Sequence, residues 1–397
     1  MTQRTVRRFR LGMVGGGEGS FIGAAHRVAA RPHDDYEFVA GALSSTAERA
    51  QASGAALRLP PERCYADYRE MARAEALRDD GIDVVAIVTP NHLHASVATA
   101  FLEKGIHVIC DKPLAITLEE ADQLVQLVKR TQLLFMVTYT YSGYPAVRQA
   151  RQLVHDGMLG DIRVVQVDYA QDWLAEPVER TGQKQAEWRA DPLRAGPGGA
   201  LIDIGTHALH LAQYVSGLQV EALAADLATF VAGRQLDDHV QMMLRFAGGA
   251  RGALCASQVA SGSHNRLQLH VYGNKAGLHF DQEIPDTLWL APLGEPARCI
   301  RRGAMPPGSA GQEAASLPAG HPEGYYEAFG QLYRDFAALW RARANHGDPA
   351  ALRPHVPGVE EGRNGVAFID AALRSHQRDS AWTTLADPSD ELVGSAS

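Results

Sequence analysis

Three residues of this chain have the type and setting to move a proton: Lys112, Asp203 and His207. Asp203 and His207 are four apart, so on a helix they share a face. A carboxylate beside an imidazole raises its basicity and fixes its orientation. Lys112 precedes a proline and follows the apolar run 106–110. That is the carboxyl end of a buried strand, where open α/β sheets bind ligands. An ammonium there can hydrogen-bond an oxygen and stabilise developing negative charge. The choice of lysine is informative. Of 38 lysines and arginines only five are lysine, at positions 104, 112, 129, 184 and 275. The other four fall in surface-like settings, and an ammonium whose pKa can shift is not interchangeable with a guanidinium. A base must lie within about 3 Å of the proton it removes. His207 is the expected base and Lys112 the polarising and orienting group, with the two roles open to exchange.

A second constellation points to the other half of such a reaction. After an apolar stretch at 9–14 comes Gly15-Gly16-Gly17-Glu18-Gly19-Ser20-Phe21-Ile22-Gly23. Gly15 and Gly17 stand where a G-x-G turn lets the backbone approach a pyrophosphate, with a helix N-terminus aimed at it. Gly23 comes three residues late for G-x-G-x-x-G. Expected cofactor contacts are Gly15, Gly17, Glu18, Ser20, Phe21 and Ile22. The ribose-binding carboxylate that usually ends the second strand is missing: the position falls near Ser44, in Leu43-Ser-Ser-Thr-Ala-Glu-Arg49. Ser44, Ser45 and Arg49 would suit a 2′-phosphate, while Ser45 or Thr46 could equally cap the next helix. The cofactor is therefore read as NAD or NADP.

These groups need a scaffold. Strand-like runs at 9–14, 36–43, 82–88, 106–110 and 133–138 alternate with helical stretches, which predicts a parallel α/β domain over 1–142. From 143 to 397 the pattern changes. A helix near 145–157 leads into strand-like stretches at 162–169, 220–230, 238–246, 250–257 and 267–272, interrupted by a helix near 198–216. This predicts an α+β domain with a large, mostly antiparallel open sheet. A long loop is expected at 303–322, then helices near 323–343 and 360–376.

Composition narrows the function. With 397 residues, 46% of them hydrophobic, the core can be large. The net charge of −8 has both signs scattered, which argues against a nucleic-acid partner. No apolar run is long enough for a membrane span, and Arg7-Arg8 lacks the apolar region of an export signal. Four scattered cysteines fit a reducing compartment, so the expected location is cytoplasmic.

Two further segments carry a specific resemblance: Thr89-Pro90-Asn91-His92-Leu93-His94 with Asp111-Lys112-Pro113, and Gly198-Gly-Ala-Leu-Ile-Asp203-Ile-Gly-Thr-His207. With the glycine turn they resemble the glucose-fructose oxidoreductase, inositol dehydrogenase and rhizopine catabolism family, Gfo/Idh/MocA, over roughly residues 9–376. The resemblance implies a Rossmann domain, an open-sheet second domain that often forms an oligomer interface, and NAD(P)-linked hydride transfer on a sugar, inositol or related polyol. It implies that Lys112, Asp203 and His207 are catalytic and that the chain forms a homodimer or homotetramer. Thr89, Pro90, Asn91, His94, Asp111 and Lys112 join the expected cofactor contacts, His94 being equally a packing residue. Tyr144, Trp188, Arg189 and His321 join Lys112, Asp203 and His207 as expected substrate contacts. Asp111 replaces the usual Glu. His210 and Ser142 replace an Asp and an Arg common in the family, which leaves the substrate open. Asp203, His207 and His210 match a metal site only loosely, and none is expected. Two other readings stand beside the dehydrogenase: an NAD-dependent glycosidase working by oxidation, elimination and reduction with recycled cofactor, and a non-catalytic dinucleotide sensor.

Overall fold

A computed structural model describes residues 7–345 and 348–385. The chain opens β1 (Phe9–Gly15), α1 (Phe21–Ala29), β2 (Tyr36–Ala42), α2 (Ala47–Ala56), α3 (Tyr68–Ala76), β3 (Val84–Val88), α4 (His94–Leu102), β4 (His107–Cys110), α5 (Leu118–Thr131) and β5 (Phe135–Val137). It continues α6 (Pro145–His155), β6 (Ile162–Ala170), α7 (Lys184–Arg189), α8 (Pro192–Ala195), a π-helical turn (Leu201–Gly205) and α9 (Thr206–Ser216). Then come β7 (Val220–Ala228), β8 (His239–Phe246), β9 (Arg251–Ser257), β10 (Arg266–Gly273), β11 (Ala276–Asp281), β12 (Thr287–Pro292) and β13 (Arg298–Arg301). The last elements are α10 (Ala310–Ala314), α11 (Tyr325–Ala344), α12 (Val359–Gln377) and β14 (Thr383–Thr384).

The chain forms two compact units. The first holds the described residues up to Ala115, with Glu119–Thr140 and Tyr326–Gly362; the second holds Ile116–Leu118, Tyr141–Tyr325 and the described residues from Arg363 onward. A single division after residue 142 is therefore too simple, because the chain returns to the first unit after Tyr325. The cause is the apolar face of α11. Phe329, Tyr333 and Phe336 are fully buried. Tyr333 meets Tyr36 edge-on at 5.2 Å, and Trp340 stacks on Phe9 at 3.9 Å.

The first unit is built on a parallel sheet of order β2-β1-β3-β4-β5. All five residues of β3 are buried, as a central parallel strand covered on both faces requires. The order reverses between β1 and β3, and the carboxyl ends of strands at such a switch point form the ligand crevice of open α/β sheets. Capping residues set the helix starts. Ser20 accepts from Gly23 N at 3.1 Å to open α1, and Asp67 accepts from Arg69 N and Glu70 N to open α3.

The second unit carries a nine-stranded sheet, β13-β12-β11-β10-β6-β9-β8-β7-β14. Its strands pair antiparallel except β6 with β9. Burial alternates along β8: Val240, Met242, Leu244 and Phe246 point into the core, while Gln241, Met243 and Arg245 point out. β11 to β13 and α3 were not expected from the sequence, and the expected loop at 303–322 holds the one-turn α10. Among the described residues no helix is long and apolar enough to cross a membrane.

Candidate functional site

In the first unit, the expected cofactor residues gather where β1, β3 and β4 end. Gly15 and Gly16 have φ of 79° and 73°, values that favour glycine. A Cβ on Gly15 would stand 2.8 Å from the Val88 carbonyl oxygen, and one on Gly17 would stand 2.5 Å from that of Leu43. Gly23 is the third glycine of the motif in space. Its Cβ would fall 2.3 Å from Gly16 Cα, so α1 crosses β1 at a distance only glycine allows. The three extra residues loop outward: Glu18 and Gly19 are exposed, and Ser20 caps α1. Arg27 Nη1 ties the turn down by donating to Gly16 O at 2.7 Å. This open backbone cradle at a helix start fits a dinucleotide pyrophosphate.

The remaining expected contacts differ in how they are placed. Phe21 is 61% exposed, Ile22 half-buried, Ser44 half-buried, and Ser45 and Arg49 exposed. Thr46 starts α2 without a side-chain cap bond, so capping does not account for its hydroxyl. Thr89 Oγ1, beside the switch point, is buried without a hydrogen-bond partner. Pro90 follows, and Asn91 is buried. Asp111 accepts from its neighbour Lys112 N at 3.0 Å and from Thr138 Oγ1 at 2.9 Å. Lys112 itself is half-buried, and its peptide bond to Pro113 is cis. His94 is 1% exposed, with Nδ1 2.6 Å from Pro113 O and Nε2 3.0 Å from Thr89 O, so its ring sits between the two strand-end loops that carry Thr89 and Pro113.

In the second unit, Asp203 lies within the π-helical turn and His207 in the first turn of α9. The wider π-turn replaces the regular helix assumed from the spacing. Asp203 Oδ2 accepts from Arg189 Nε at 3.3 Å and from Gln258 Nε2 at 2.9 Å. Arg189 also donates to Gln185 Oε1 at 2.7 Å, and its guanidinium lies 4.3 Å over the Trp188 ring. His207 packs edge-on against Tyr141 at 4.9 Å and near Tyr169 at 6.5 Å. The Tyr141 and Tyr169 hydroxyls bond to each other, Tyr169 donates to Asn265 Oδ1 at 2.8 Å, and Gln171 Nε2 reaches the same oxygen at 2.7 Å. Burial pushes both tyrosine pKa values up, aided by the Asp203 charge, so both stay neutral hydroxyls.

Trp188, Arg189, Asp203 and His207 thus fall within one polar neighbourhood. Two expected contacts are placed otherwise. Tyr144 is 1% exposed, packed near Tyr141 and Phe280. His321 is exposed on its loop, where its carbonyl accepts from Arg302. His210 is buried against Tyr214, and burial with Arg151 and Arg148 nearby pulls its pKa down to about 3. Among the described residues no three His, Cys, Asp or Glu side chains converge as a metal would need. Sequence reasoning missed Gln258, Tyr141, Tyr169, Gln171 and Asn265. They lie on separate strands and loops, and no local spacing marks them.

Comparison with known proteins gives this geometry its family. Residues 9–139 match the oxidoreductase family model with an NAD-binding Rossmann fold, and residues 147–279 match the GFO/IDH/MocA C-terminal domain. The chain belongs to the GFO/IDH/MocA family. It is 34% identical to the uncharacterized oxidoreductase YfiI of Bacillus subtilis, over 94% of this chain and 96% of that protein. It is 33% identical to levoglucosan dehydrogenase of Pseudarthrobacter phenanthrenivorans, over 72% of this chain and 77% of the relative. The solved structure of an inositol dehydrogenase homolog from Azotobacter vinelandii, complexed with NADH and myo-inositol, is 35% identical with a TM-score of 0.88. The match covers 96% of this chain and 98% of that one.

Proposed function

We propose that this chain oxidises a secondary alcohol of a cyclic polyol or sugar, or reduces the matching ketone, with NAD as hydride carrier. The observation that carries the reading is the Asp203–Arg189–Gln258 cluster beside the His207 ring, in a family built to bind NAD. Two family relatives, one complexed with NADH and myo-inositol and the other acting on levoglucosan, support the substrate class. The nicotinamide, when bound, supplies the hydride acceptor or donor. His207 takes the hydroxyl proton, Asp203 orients the reacting group through its fixed carboxylate, and Lys112 donates to the substrate oxygen. Trp188 offers an apolar ring face, and Arg189 planar donors, to the rest of a cyclic polyol. Preference for NAD is supported by the NADH-bound relative.

The working form is proposed to be a cytoplasmic homodimer or homotetramer. Met243, Tyr272 and Trp289 are exposed on strands of the large sheet, apolar side chains that a second subunit would cover. Cys64, Cys110, Cys255 and Cys299 are free thiols, in keeping with a reducing compartment. The test is to purify the chain, add NAD+ with a panel of inositols, aldoses and anhydrosugars, and follow NADH. Stoichiometric NADH formation is expected, and Lys112→Ala and His207→Ala should each lower kcat/KM by about 10²–10⁴-fold. Turnover of a chromogenic glycoside without net NADH would instead favour the elimination route. Full biological activity in Lys112→Ala would overturn the chemistry.

A further inference from the structure

We propose that Asp237 is a positioning residue for Asp203. It clamps the turn that carries Asp203, while its neighbour Asp238 holds the glutamine that bonds the Asp203 carboxylate. Asp237 and Asp238 end the loop between β7 and β8. Asp237 Oδ1 accepts from Gly199 N at 2.7 Å and Oδ2 from Leu201 N at 2.8 Å. Its carbonyl accepts from Ala200 N at 2.9 Å. Three successive N–H groups at the start of the helical run are thus satisfied by one residue, in the place where a carboxylate favours a helix most. Gly199 makes the approach possible, since a Cβ there would stand 2.1 Å from Asp237 O.

The next residue supplies a second route. Asp238 O accepts from Gln258 N at 2.8 Å, and Gln258 Nε2 donates to Asp203 Oδ2 at 2.9 Å. The dipeptide is itself anchored. The Asp238 carboxylate accepts from Phe230 N, Val231 N and Arg234 Nη1 at 2.9, 3.0 and 3.2 Å, and Arg234 pairs with Glu179 at 2.9 Å. Asp237 is 8% exposed and Asp238 1%. Backbone placement of the Asp203 turn and side-chain placement of Gln258 therefore converge on one carboxylate.

The clamp has a pH signature. Burial pushes the Asp237 carboxyl up to about 6, against the pull of the Gly199 and Leu201 N–H groups. Asp238 adds to the rise, and Arg234 and Glu179 lie behind it. Protonation turns one acceptor oxygen into a hydroxyl that faces an N–H donor, so the clamp loosens on the acid side.

Asp237 matters in this way only if Asp203 takes part in the reaction proposed above, and the test separates the two. Asp237→Asn keeps the shape and loses one acceptor. Its kcat is expected to fall about tenfold or more, as for a lost bond to a charged group, with NADH affinity unchanged by fluorescence titration. The acid limb of its kcat profile near pH 6 should be lost or displaced. Gln258→Leu removes the second route and should also lower kcat with NADH affinity intact. Wild-type kcat in folded Gln258→Leu, or wild-type kcat and acid limb in Asp237→Asn, overturns the inference. So does a kcat loss matched by equal loss of NADH affinity. Asp203→Asn is the control. If it stays active, the underlying reading fails; if it is inactive while Asp237→Asn is normal, only the positioning role fails.

Discussion

Arg189 does three things with one guanidinium. It donates to Asp203, it donates to Gln185, and it lies over the Trp188 ring. A planar fork with a stacking face can do all three, and a lysine ammonium cannot. Arg189→Lys keeps the charge and should still lower kcat by about tenfold, since each charge-assisted bond is worth roughly 1.5–3 kcal/mol. Steady-state kinetics on the substrate found by the panel would check this, and wild-type values in the lysine variant would refute it. Arg49 offers a second test at this scale. It is exposed beside Glu48, with Ser45 and Thr46 preceding it. Only a 2′-phosphate would need its charge. Arg49→Ala should leave kcat/KM for NAD within about twofold while weakening any NADP activity about tenfold or more. A parallel loss with both cofactors would show that Arg49 serves the fold or the shared half of the dinucleotide.

Among the elements, the β1–α1 crossing is the most constrained. Gly16 and Gly23 face each other so closely that a Cβ on Gly23 would meet Gly16 Cα at 2.3 Å and Gly16 O at 2.5 Å, both backbone atoms that cannot yield. Gly23→Ala should push α1 off the turn, costing about 1–3 kcal/mol of stability and weakening NADH binding about tenfold or more. Thermal unfolding and fluorescence titration measure the two effects; an unchanged NADH affinity would remove the turn from the nucleotide site. The same crossing shows what a sequence can convey. Gly23 looked misplaced by three residues, because spacing counts residues and the insertion is spent in an outward loop capped by Ser20. The parallel strands were legible because burial on both faces leaves runs such as Val84–Val88 wholly apolar. The edge strands were not. β13 reads Arg-Cys-Ile-Arg with its residues largely in solvent, so no alternation marks it. α3 escaped because its sequence, Tyr68 to Ala76, is mostly polar and its start is set by Asp67. Lys112, Asp203 and His207 were legible as types in suggestive settings. Gln258 and Asp237 were not, since their roles exist only once β8, β9 and the π-turn are folded together.

For the molecule as a whole, buried histidines make folding sensitive to acid. His26 is fully buried, bonds Tyr333 OH at 2.7 Å through Nδ1, and leaves Nε2 buried without a hydrogen-bond partner. Burial lowers its pKa to about 4, as it lowers those of His107 to about 4 and His210 to about 3. Each returns to about 6.5 when the chain unfolds. The unfolded chain then binds more protons than the folded one between those values, so these groups stabilise the fold above pH 6.5 and that stability is lost as pH falls toward 4. Asp237, at about 6, and Glu323, also raised, act with the opposite sign. Their folded forms hold protons more readily, so both favour the fold on the acid side, Asp237 as pH falls below about 6. The three histidine shifts together outweigh that of Asp237. The urea midpoint followed by circular dichroism should therefore drop from pH 7 to pH 4.5, with His26 alone contributing on the order of 2–3 kcal/mol. His26→Leu isolates the effect. It should be less stable than the parent at pH 7, where the Tyr333 bond is lost, yet show a shallower decline with acid because one titrating group is gone. An equal slope in parent and variant would mean that His26 does not charge on unfolding in this window, and the acid sensitivity would then lie with His107 and His210.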